Sequence, residues 1–319
     1  MADALRLGPL GFGGANLGNL FQAMTDEDAH AILQTAWDCG IRYFDTAPHY
    51  GLGLAERRLG AFLAGKPRAE FVVSTKAGRL LRPSPETADR LDEEGGFAVP
   101  ADTARVWDPS PDGVRRSLEE SLERLGLDRV DVLLLHDPDE YADPDASIAA
   151  AVPGLVGLRE AGLVDAVGIG SKSTDALLAG VRTGGLDLLM VAGRYTLLEQ
   201  PAAAELLPEC RRCGIGVVVA GAYNSGLLSS AQPREDARYE YGAVPAEMLA
   251  RARRLAAICA EHGVELPVAA LQFPLRHEVV RAVALGATEP GHVRENVRRA
   301  GVPIPAALWE HLAAEGLIQ

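Results

Sequence analysis

Short apolar runs alternate with longer amphipathic stretches along the whole chain. The apolar runs that could form strands number eight and cover residues 10–14, 42–45, 71–76, 130–136, 166–170, 187–191, 215–220 and 279–285. Between the first two runs, Ala29, Ile32, Leu33 and Ala36 recur at the spacing of one helix face. This repeated strand–helix pattern predicts βα units that form a parallel sheet.

Polar and glycine residues mark the ends of the predicted helices. Thr25 followed by Asp28, and Ser110 ahead of Asp112, have the pattern of an N-cap with an acidic first turn. Glycines that could end helices occur at Gly40, Gly126, Gly162, Gly214 and Gly263. The predicted helices therefore carry local start and stop signals.

The eight predicted βα units are evenly spaced, and no change in composition divides them. This regularity favours a closed (β/α)8 TIM barrel over an open doubly wound sheet, because no inserted substrate domain interrupts the repeat. We therefore expect a single α/β domain over residues 1–319. Two longer segments, 79–109 and 221–245, follow strands and should lie over the carboxyl-terminal mouth of the barrel, where barrel enzymes build their sites.

Four polar side chains stand at or just after the carboxyl ends of predicted strands: Asp45, Tyr50, Lys76 and His136. Because barrel strands direct these ends to one face, the four can meet in one pocket. A lysine cation favours the ionised form of a nearby tyrosine, and an aspartate can anchor that lysine. Together they could exchange a proton with a carbonyl or alcohol oxygen that His136 orients.

Three of these residues also have a purely structural explanation. Asp45 could cap the following turn, Lys76 could be a solvated strand end, and His136 could be a hydrogen-bonded core residue. Their joint occurrence at strand ends favours the functional interpretation.

The motifs around these residues resemble those of the aldo-keto reductases. They are Phe44-Asp45-Thr46-Ala47-Pro48-His49-Tyr50-Gly51, then Glu56 and Leu59-Gly60, then Ser74-Thr75-Lys76, and Leu133-Leu134-Leu135-His136. The resemblance implies a (β/α)8 barrel with a nicotinamide cofactor extended across its mouth. It also implies that Asp45, Tyr50, Lys76 and His136 are a catalytic tetrad in which Tyr50 is the general acid or base.

Three further segments, 136–139, 192–200 and 223–228, resemble the subgroup of D-threo-aldose 1-dehydrogenases (L-fucose dehydrogenases), to which pyridoxal 4-dehydrogenase is similar. That resemblance implies oxidation of the C1 hydroxyl of an aldose to the lactone. The alternatives are an NADPH-dependent carbonyl reductase, a pyridoxal 4-dehydrogenase, or a cofactor-binding, redox-sensing subunit with little turnover. The intact tetrad weighs against the last of these.

Residues 285–296 follow the eighth strand, open a helix and match the family's cofactor loop. The resemblance implies cofactor contacts from Gly286, Ala287, Thr288, Glu289, His292, Glu295 and Asn296, together with Ser171 and Tyr195. In NADPH-specific members a Lys and an Arg bind the 2′-phosphate, and the matching positions here are Gly286 and His292. Glu289 would repel a phosphate, so NAD is favoured; NADP remains possible because Arg294 lies nearby.

Some positions depart from the family pattern. Many members bind the carboxamide of the nicotinamide with Ser-Asn and Gln, and the matching positions here hold Gly170-Ser171 and Ala192. Many members also stack an aromatic side chain on the nicotinamide, and the matching position here holds Ala220. Stacking by Tyr195 or Tyr223 is the expected substitute. The candidates for substrate contact are His49, Trp107 and Tyr223, and Phe97 and Tyr141 could extend an aromatic wall or simply pack the loops.

Composition restricts the partners and the compartment. Lys and Arg total 31 against 44 Asp and Glu, so the net charge of −13 argues against a nucleic-acid or anionic-membrane partner. No leader-like segment and no long apolar span is present, which predicts a cytoplasmic protein. We expect a small sugar or aldehyde as the partner and a monomer or homodimer as the assembly.

The four cysteines are too few for a disulfide framework in a chain of this length. Cys210 and Cys213 have C-x-x-C spacing, and Cys259 with His262 repeats the interval, so a zinc site can be drawn. A C-x-x-C pair without close companions is a weak signal. We therefore expect no metal, and two helix cysteines one turn apart of which one is buried.

Overall fold

The computed structural model describes residues 5–240 and 242–319. The strands are β1 (Leu10–Gly13), β2 (Tyr43–Asp45), β3 (Val72–Ala77), β4 (Arg79–Pro83), β5 (Leu91–Asp92), β6 (Phe97–Pro100), β7 (Thr103–Trp107), β8 (Val132–His136), β9 (Ala166–Ser171), β10 (Leu188–Ala192), β11 (Gly216–Ala220), β12 (Arg238–Tyr239), β13 (Gly242–Ala243) and β14 (Val280–Leu285). The helices are α1 (Asp26–Asp38), α2 (Leu54–Leu63), α3 (Pro111–Leu125), α4 (Pro144–Glu160), α5 (Thr174–Thr183), α6 (Leu206–Cys213), α7 (Ala246–Glu261), α8 (Leu266–Gln272), α9 (Pro290–Ala300) and α10 (Ala306–Ala314).

Eight of these strands close a barrel in the order β1, β14, β11, β10, β9, β8, β3 and β2. Each neighbouring pair is parallel. The eight barrel strands are the eight predicted from the apolar runs, with bounds that differ by at most two residues. The prediction of a (β/α)8 barrel is therefore confirmed.

Alternation along the strands divides the core into an inner and an outer layer. Val132 and Leu134 of β8 belong to the cluster inside the barrel, whereas Leu133 and Leu135 pack against the surrounding helices. Tyr43 of β2 fills the barrel interior beside β1. The ring fits there because its neighbour on β1 is Gly11, which has no side chain. A Cβ at that position would lie 2.4 Å from the Tyr43 ring.

The helix ends follow the local signals. Thr25 and Asp28 form a capping box at the start of α1, and the Ser110 hydroxyl accepts from the backbone N–H of Gly113 at 3.0 Å. The helix-ending glycines all have φ between +62° and +86°; they are Gly40, Gly126, Gly162, Gly214 and Gly263. The predicted caps and terminators are confirmed.

The two long segments over the mouth contain structure of their own. In 79–109, β4 pairs with β7 and β5 pairs with β6, both antiparallel, and in 221–245 β12 pairs with β13. Phe97 of β6 also forms a bridge to Leu20 in the loop after β1. These pairings hold the segments over the carboxyl ends of the barrel strands. In the described ranges, no helix has the length and hydropathy needed to cross a bilayer.

Candidate active site

Strand alternation directs polar side chains from three strands into the barrel mouth. His136 stands two residues beyond Leu134, which faces the barrel interior, so it lies on the same inner face. Asp45 at the end of β2 and Lys76 near the end of β3 also point inward, because they contact each other across the two strands. All three therefore line one cavity of about 560 Å³.

Lys76 and Asp45 form a buried ion pair. Nζ of Lys76 lies 2.7 Å from Oδ2 of Asp45 and donates to the backbone oxygen of Thr46 at 2.9 Å. Oδ1 of Asp45 accepts from the Ser74 hydroxyl at 2.7 Å, and Ser74 Oγ lies 3.0 Å from the hydroxyl of Tyr43. The carboxylate is thus held from both sides, and it holds the ammonium group.

The turn after β2 brings Tyr50 beside this ion pair. Gly51 has φ of +60°, and a Cβ there would lie 2.6 Å from Cα of Gly18, so the turn packs closely against the loop after β1. Nζ of Lys76 lies 4.8 Å from the centroid of the Tyr50 ring. The His136 ring is nearly perpendicular to that of Tyr50, with centroids 5.8 Å apart. The structure therefore brings the four predicted residues together.

Phe97 and His49 complete the wall beside Tyr50. The ring centroid of Phe97 lies 6.2 Å from that of Tyr50 and 5.4 Å from that of His49. Both side chains line the cavity. This places His49, a predicted substrate-contact candidate, and one residue of the predicted aromatic wall at the mouth.

Both histidines of the cavity are neutral. Burial, and then the cations of Arg79 and Lys76, hold the pKa of His136 well below its usual value. Burial, with the cations of Arg79, Arg105 and Lys76, lowers the pKa of His49 to about 2. Near neutral pH each imidazole therefore offers one N–H donor and one acceptor nitrogen.

Arg79, which no sequence motif singled out, organises a group of polar residues. Its Nη2 donates to Asp137 at 2.8 Å and to Glu140 at 2.9 Å, and its Nη1 lies 3.1 Å from Nδ1 of His49. Its guanidinium carbon lies 4.4 Å from the centroid of the Trp107 ring. The available signal was a charged residue two positions after the end of β3 and three beyond Lys76.

The loop between β14 and α9 gathers the predicted cofactor residues. Gly286 lines the cavity and Ala287 is buried behind it. Oγ1 of Thr288 lies 3.2 Å from Nδ1 of His292, whose Nε2 lies 3.5 Å from Glu289. These polar groups stand at the amino end of α9, where no side chain caps the backbone N–H groups.

Two further predicted residues lie on α9 itself. Glu295 pairs with Arg298 at 2.7 Å and with Arg299 at 3.2 Å. Asn296 is buried and accepts from the hydroxyl of Tyr223 at 3.0 Å. Tyr223 therefore packs against the cofactor-loop helix and does not itself line the cavity, and its contact with the substrate stays a prediction.

Tyr195 and Trp107 are the other aromatic residues predicted to contact the cofactor or the substrate. Tyr195 packs against Phe273 and His277, with centroids 5.2 Å and 5.8 Å away, in the layer between barrel and helices. Tyr195 does not line the cavity, and its stacking on the nicotinamide ring stays a prediction. Trp107 packs edge-on against Tyr141 at 5.7 Å and its ring lies against the Arg79 guanidinium group, while its contact with the substrate stays a prediction.

Ser171 lines the cavity at the end of β9. Its hydroxyl donates to Asp139 and accepts from the backbone N–H of Ser173. Both hydrogen-bonding roles of this side chain are thus in use within the protein.

The cysteines are arranged as the simpler interpretation predicts. Cys210 and Cys213 lie on α6, the first buried and the second exposed, and Cys259 is buried on α7. Burial raises the pKa of the Cys210 and Cys259 thiols to about 12. Within the described ranges, no three His, Cys, Asp or Glu side chains are grouped as a metal site.

Comparison with known sequences decides the family, because residues 9–314 match the Aldo/keto reductase family. The chain belongs to this family. It is therefore an oxidoreductase that uses a nicotinamide cofactor, as the sequence motifs predicted.

Several aldo-keto reductases resemble the chain over most of its length. A D-threo-aldose 1-dehydrogenase from Pseudomonas sp is 55% identical, and the match covers 99% of this chain and 96% of the relative. A pyridoxal 4-dehydrogenase from Microbacterium luteolum is 38% identical, covering 97% and 94%. Among solved structures, an aldo-keto reductase from Bacillus halodurans superposes with a TM-score of 0.76 at 26% identity, covering 99% and 93%.

The residues at the mouth of this aldo-keto reductase fit a nicotinamide nucleotide. Small residues at strand ends line the cavity next to the four polar side chains: Gly170, Ala192, Ala220, Ala284 and Gly286. They leave an open floor for a flat ring. Nδ1 of His136 is buried and has no hydrogen-bond partner among the residues described. The loop before α9 offers backbone N–H groups suited to a phosphate.

Proposed function

We propose that this reductase is an NAD-dependent dehydrogenase that oxidises the C1 hydroxyl of a cyclic aldose, such as L-fucose or another D-threo-aldose, to the lactone. The observation that carries the proposal is the placement of the Lys76 ammonium group 4.8 Å from the Tyr50 ring, with neutral His136 on the other side. This arrangement suits proton removal from an alcohol. The 55% identical relative supports an aldose as the substrate.

Each of the four residues has a distinct task in this proposal. The Tyr50 hydroxyl, once ionised, accepts the proton of the C1 hydroxyl. Lys76 favours the ionised hydroxyl through its positive charge, and Asp45 fixes the position of Lys76. The neutral imidazole of His136 donates a hydrogen bond that orients the reacting oxygen. The nicotinamide ring, when bound, supplies the acceptor for the C1 hydride.

The preference for NAD rests on the residues at the amino end of α9. The positions that would need a Lys and an Arg for a 2′-phosphate are Gly286 and His292. Glu289 stands 3.5 Å from His292 and adds negative charge where that phosphate would lie. Arg294 is exposed and makes no ion pair with any described residue, so it is the cation that would bind the 2′-phosphate if the enzyme used NADP.

Pyridoxal oxidation is the second candidate, favoured by the 38% identical relative. The test is a substrate panel of L-fucose, other D-threo-aldoses and pyridoxal, assayed with NAD and NADP at the absorbance band of the reduced cofactor. Hydroxylamine trapping identifies a lactone product, and the Tyr50→Phe variant gives the background rate of cofactor reduction. Highest kcat/KM for an aldose with NAD supports the proposal. Turnover of pyridoxal alone, or faster turnover with NADP, contradicts it.

A further inference from the structure

Arg79 is almost completely buried behind the cavity wall, with 5% of its side chain exposed. It bonds to His49, Asp137 and Glu140, and all three of these side chains line the cavity. Arg79 itself does not line it. The guanidinium group therefore acts on a substrate only through the groups that it holds.

The contact with His49 decides which ring nitrogen carries the proton. A guanidinium group has N–H donors and no acceptor, so Nδ1 of His49 must accept from Nη1 of Arg79. Because burial and neighbouring cations keep this imidazole neutral, its one proton resides on Nε2. His49 therefore presents a fixed N–H donor next to Tyr50.

The contact between Arg79 and Asp137 uses one carboxylate oxygen of Asp137 and leaves the other as a hydrogen-bond acceptor in the same wall. Oδ2 of Asp137 receives Nη2 of Arg79 at 2.8 Å and lies 3.2 Å from Nε2 of His136. Oδ1 has no hydrogen-bond partner within the described part of the chain. The backbone at Asp137 is left-handed, with φ of +40°.

We propose that Arg79 is a positioning residue that holds His49 and Asp137 as a donor and an acceptor for two hydroxyl groups of one polyhydroxylated substrate. The inference rests on the proposed aldose oxidation and specifies how the sugar is recognised. The hydroxyls concerned are those beyond the reacting C1 group. A cyclic substrate without them loses both contacts.

Charge restricts the substrate further. The single cation of Arg79 faces the carboxylates of Asp137 and Glu140, and His49 adds no charge. Among the charged residues that line the whole cavity, two are cations, Lys76 and Lys172, and six are carboxylates: Asp45, Glu93, Glu94, Asp137, Glu140 and Glu240. The cavity therefore carries excess negative charge. Neutral sugars fit such a cavity, whereas sugar phosphates and sugar acids meet repulsion.

A comparison of two lactols tests the proposal. L-Fucose carries the additional hydroxyls, and tetrahydropyran-2-ol is the parent lactol with the C1 hydroxyl alone. We expect Arg79→Lys and Asp137→Asn each to lower kcat/KM for L-fucose by about 10- to 100-fold, mainly through KM. The same variants should lower kcat/KM for tetrahydropyran-2-ol much less, so the ratio of kcat/KM for L-fucose to that for tetrahydropyran-2-ol should fall by about 10-fold or more.

Arg82→Lys is the matched control. Arg82 lies on the same strand and also forms an ion pair, at 2.8 Å to Glu120, outside the cavity lining. Its substitution should leave both substrates unaffected. If Arg79→Lys does not fold, Asp137→Asn is decisive, because asparagine keeps the shape of the side chain and tolerates the left-handed backbone.

The outcomes separate this inference from the proposed function. Equal losses on both lactols in a folded Asp137→Asn variant would mean that the wall only supports Tyr50 and His136, and would overturn the inference alone. Unchanged kcat/KM for L-fucose in that variant would do the same. A wild-type enzyme that oxidises neither lactol would overturn the proposed function and this inference with it.

Discussion

Nζ of Lys76 lies 2.7 Å from Oδ2 of Asp45, and both side chains are sealed from solvent at the base of the cavity. Taking two charges out of water is costly, and a buried ion pair often stabilises a fold no better than apolar residues of the same size. Stability therefore does not explain the pair. Function explains the pair, because it places the ammonium group beside the Tyr50 ring, where the positive charge favours the ionised tyrosine needed for proton transfer.

Replacing Tyr50 with phenylalanine removes the proton-transferring hydroxyl and keeps the ring. We expect kcat to fall by about 10²–10⁴-fold or more, in the range of general acid–base contributions. NAD affinity, measured by fluorescence titration, should stay within about threefold of the wild type. Near-normal turnover of the aldose would refute the role assigned to Tyr50.

Replacing Lys76 with methionine should affect both rate and stability. The cation that favours ionised Tyr50 is lost, so the rate falls and its rise with pH moves to higher pH. Asp45 is left as an unpaired buried carboxylate, which costs about 3–5 kcal/mol in the free energy of unfolding measured with urea.

A double variant separates the two effects of the Lys76 substitution. Adding Asp45→Asn to Lys76→Met removes the unpaired charge, so most of the lost stability should return while the rate stays low. Recovery of activity along with stability would show that Lys76 acts on folding and not on Tyr50.

Aldose oxidation should lose activity a second time at acid pH, below the rise that depends on Tyr50, and this lower acid limb should come from Asp137. Burial raises the pKa of this carboxyl to about 6; the Arg79 cation opposes the rise, Glu140 and Asp139 add to it, and the Lys76 cation lowers it. Its acceptor role needs the ionised form, so kcat/KM for the sugar falls as the pH drops through about 6. Asp137→Asn should remove this limb, and the pH profile of kcat/KM measures it.

The neighbouring histidines give a contrasting expectation. Burial and neighbouring cations hold the pKa values of His49 and His136 below their ordinary value, so neither imidazole should produce an acid limb near pH 6. An acid limb near pH 6 that persists in Asp137→Asn would contradict the assignment to Asp137.

Cofactor preference should respond to substitutions at the amino end of α9. His292→Arg places a cation where a 2′-phosphate would lie, and one charge-assisted hydrogen bond of about 1.5–3 kcal/mol shifts the NADP to NAD ratio of kcat/KM by roughly 10- to 150-fold. Glu289→Gln, which removes a repulsive charge, should shift it in the same direction.

Two further positions make the cofactor experiment specific. Gly286→Lys is the poorer choice, because a Cβ there would lie 2.4 Å from Oδ1 of Asn16, which would have to move. Arg294→Gln is the control: it should leave the NAD rate unchanged. If the wild type prefers NADP and Arg294→Gln abolishes that preference, the NAD assignment is wrong and Arg294 is the phosphate ligand.

The architecture and the four central residues could be predicted from the sequence because both depend on local periodicity. Eight apolar runs with helices between them leave a closed parallel barrel as the simplest way to bury both faces of the sheet. Within each strand a period of two decides which side chains face inward. Asp45, Lys76 and His136 therefore had to approach one another once the strands were in register.

The wall around Arg79 could not be predicted in this way. Arg79 meets Asp137 and Glu140 across 58 and 61 residues of sequence, from segments that leave different strands. Their contact depends on the left-handed turn at Asp137 and on the path of the hairpin that begins at Arg79. No repeat in the sequence encodes either feature.

The positions of the aromatic side chains likewise could not be predicted from the sequence. Tyr195 and Tyr223 follow barrel strands, yet they pack into the outer core and against α9. Trp107 and Phe97 both lie in the segment after β3, yet Trp107 packs against Arg79 while Phe97 reaches the cavity. The sequence by itself determined the barrel, its strand ends and the inward-facing polar residues, since these follow from local spacing. Only the tertiary structure decided which loop side chains face the substrate, because loop packing depends on contacts between segments far apart in the chain.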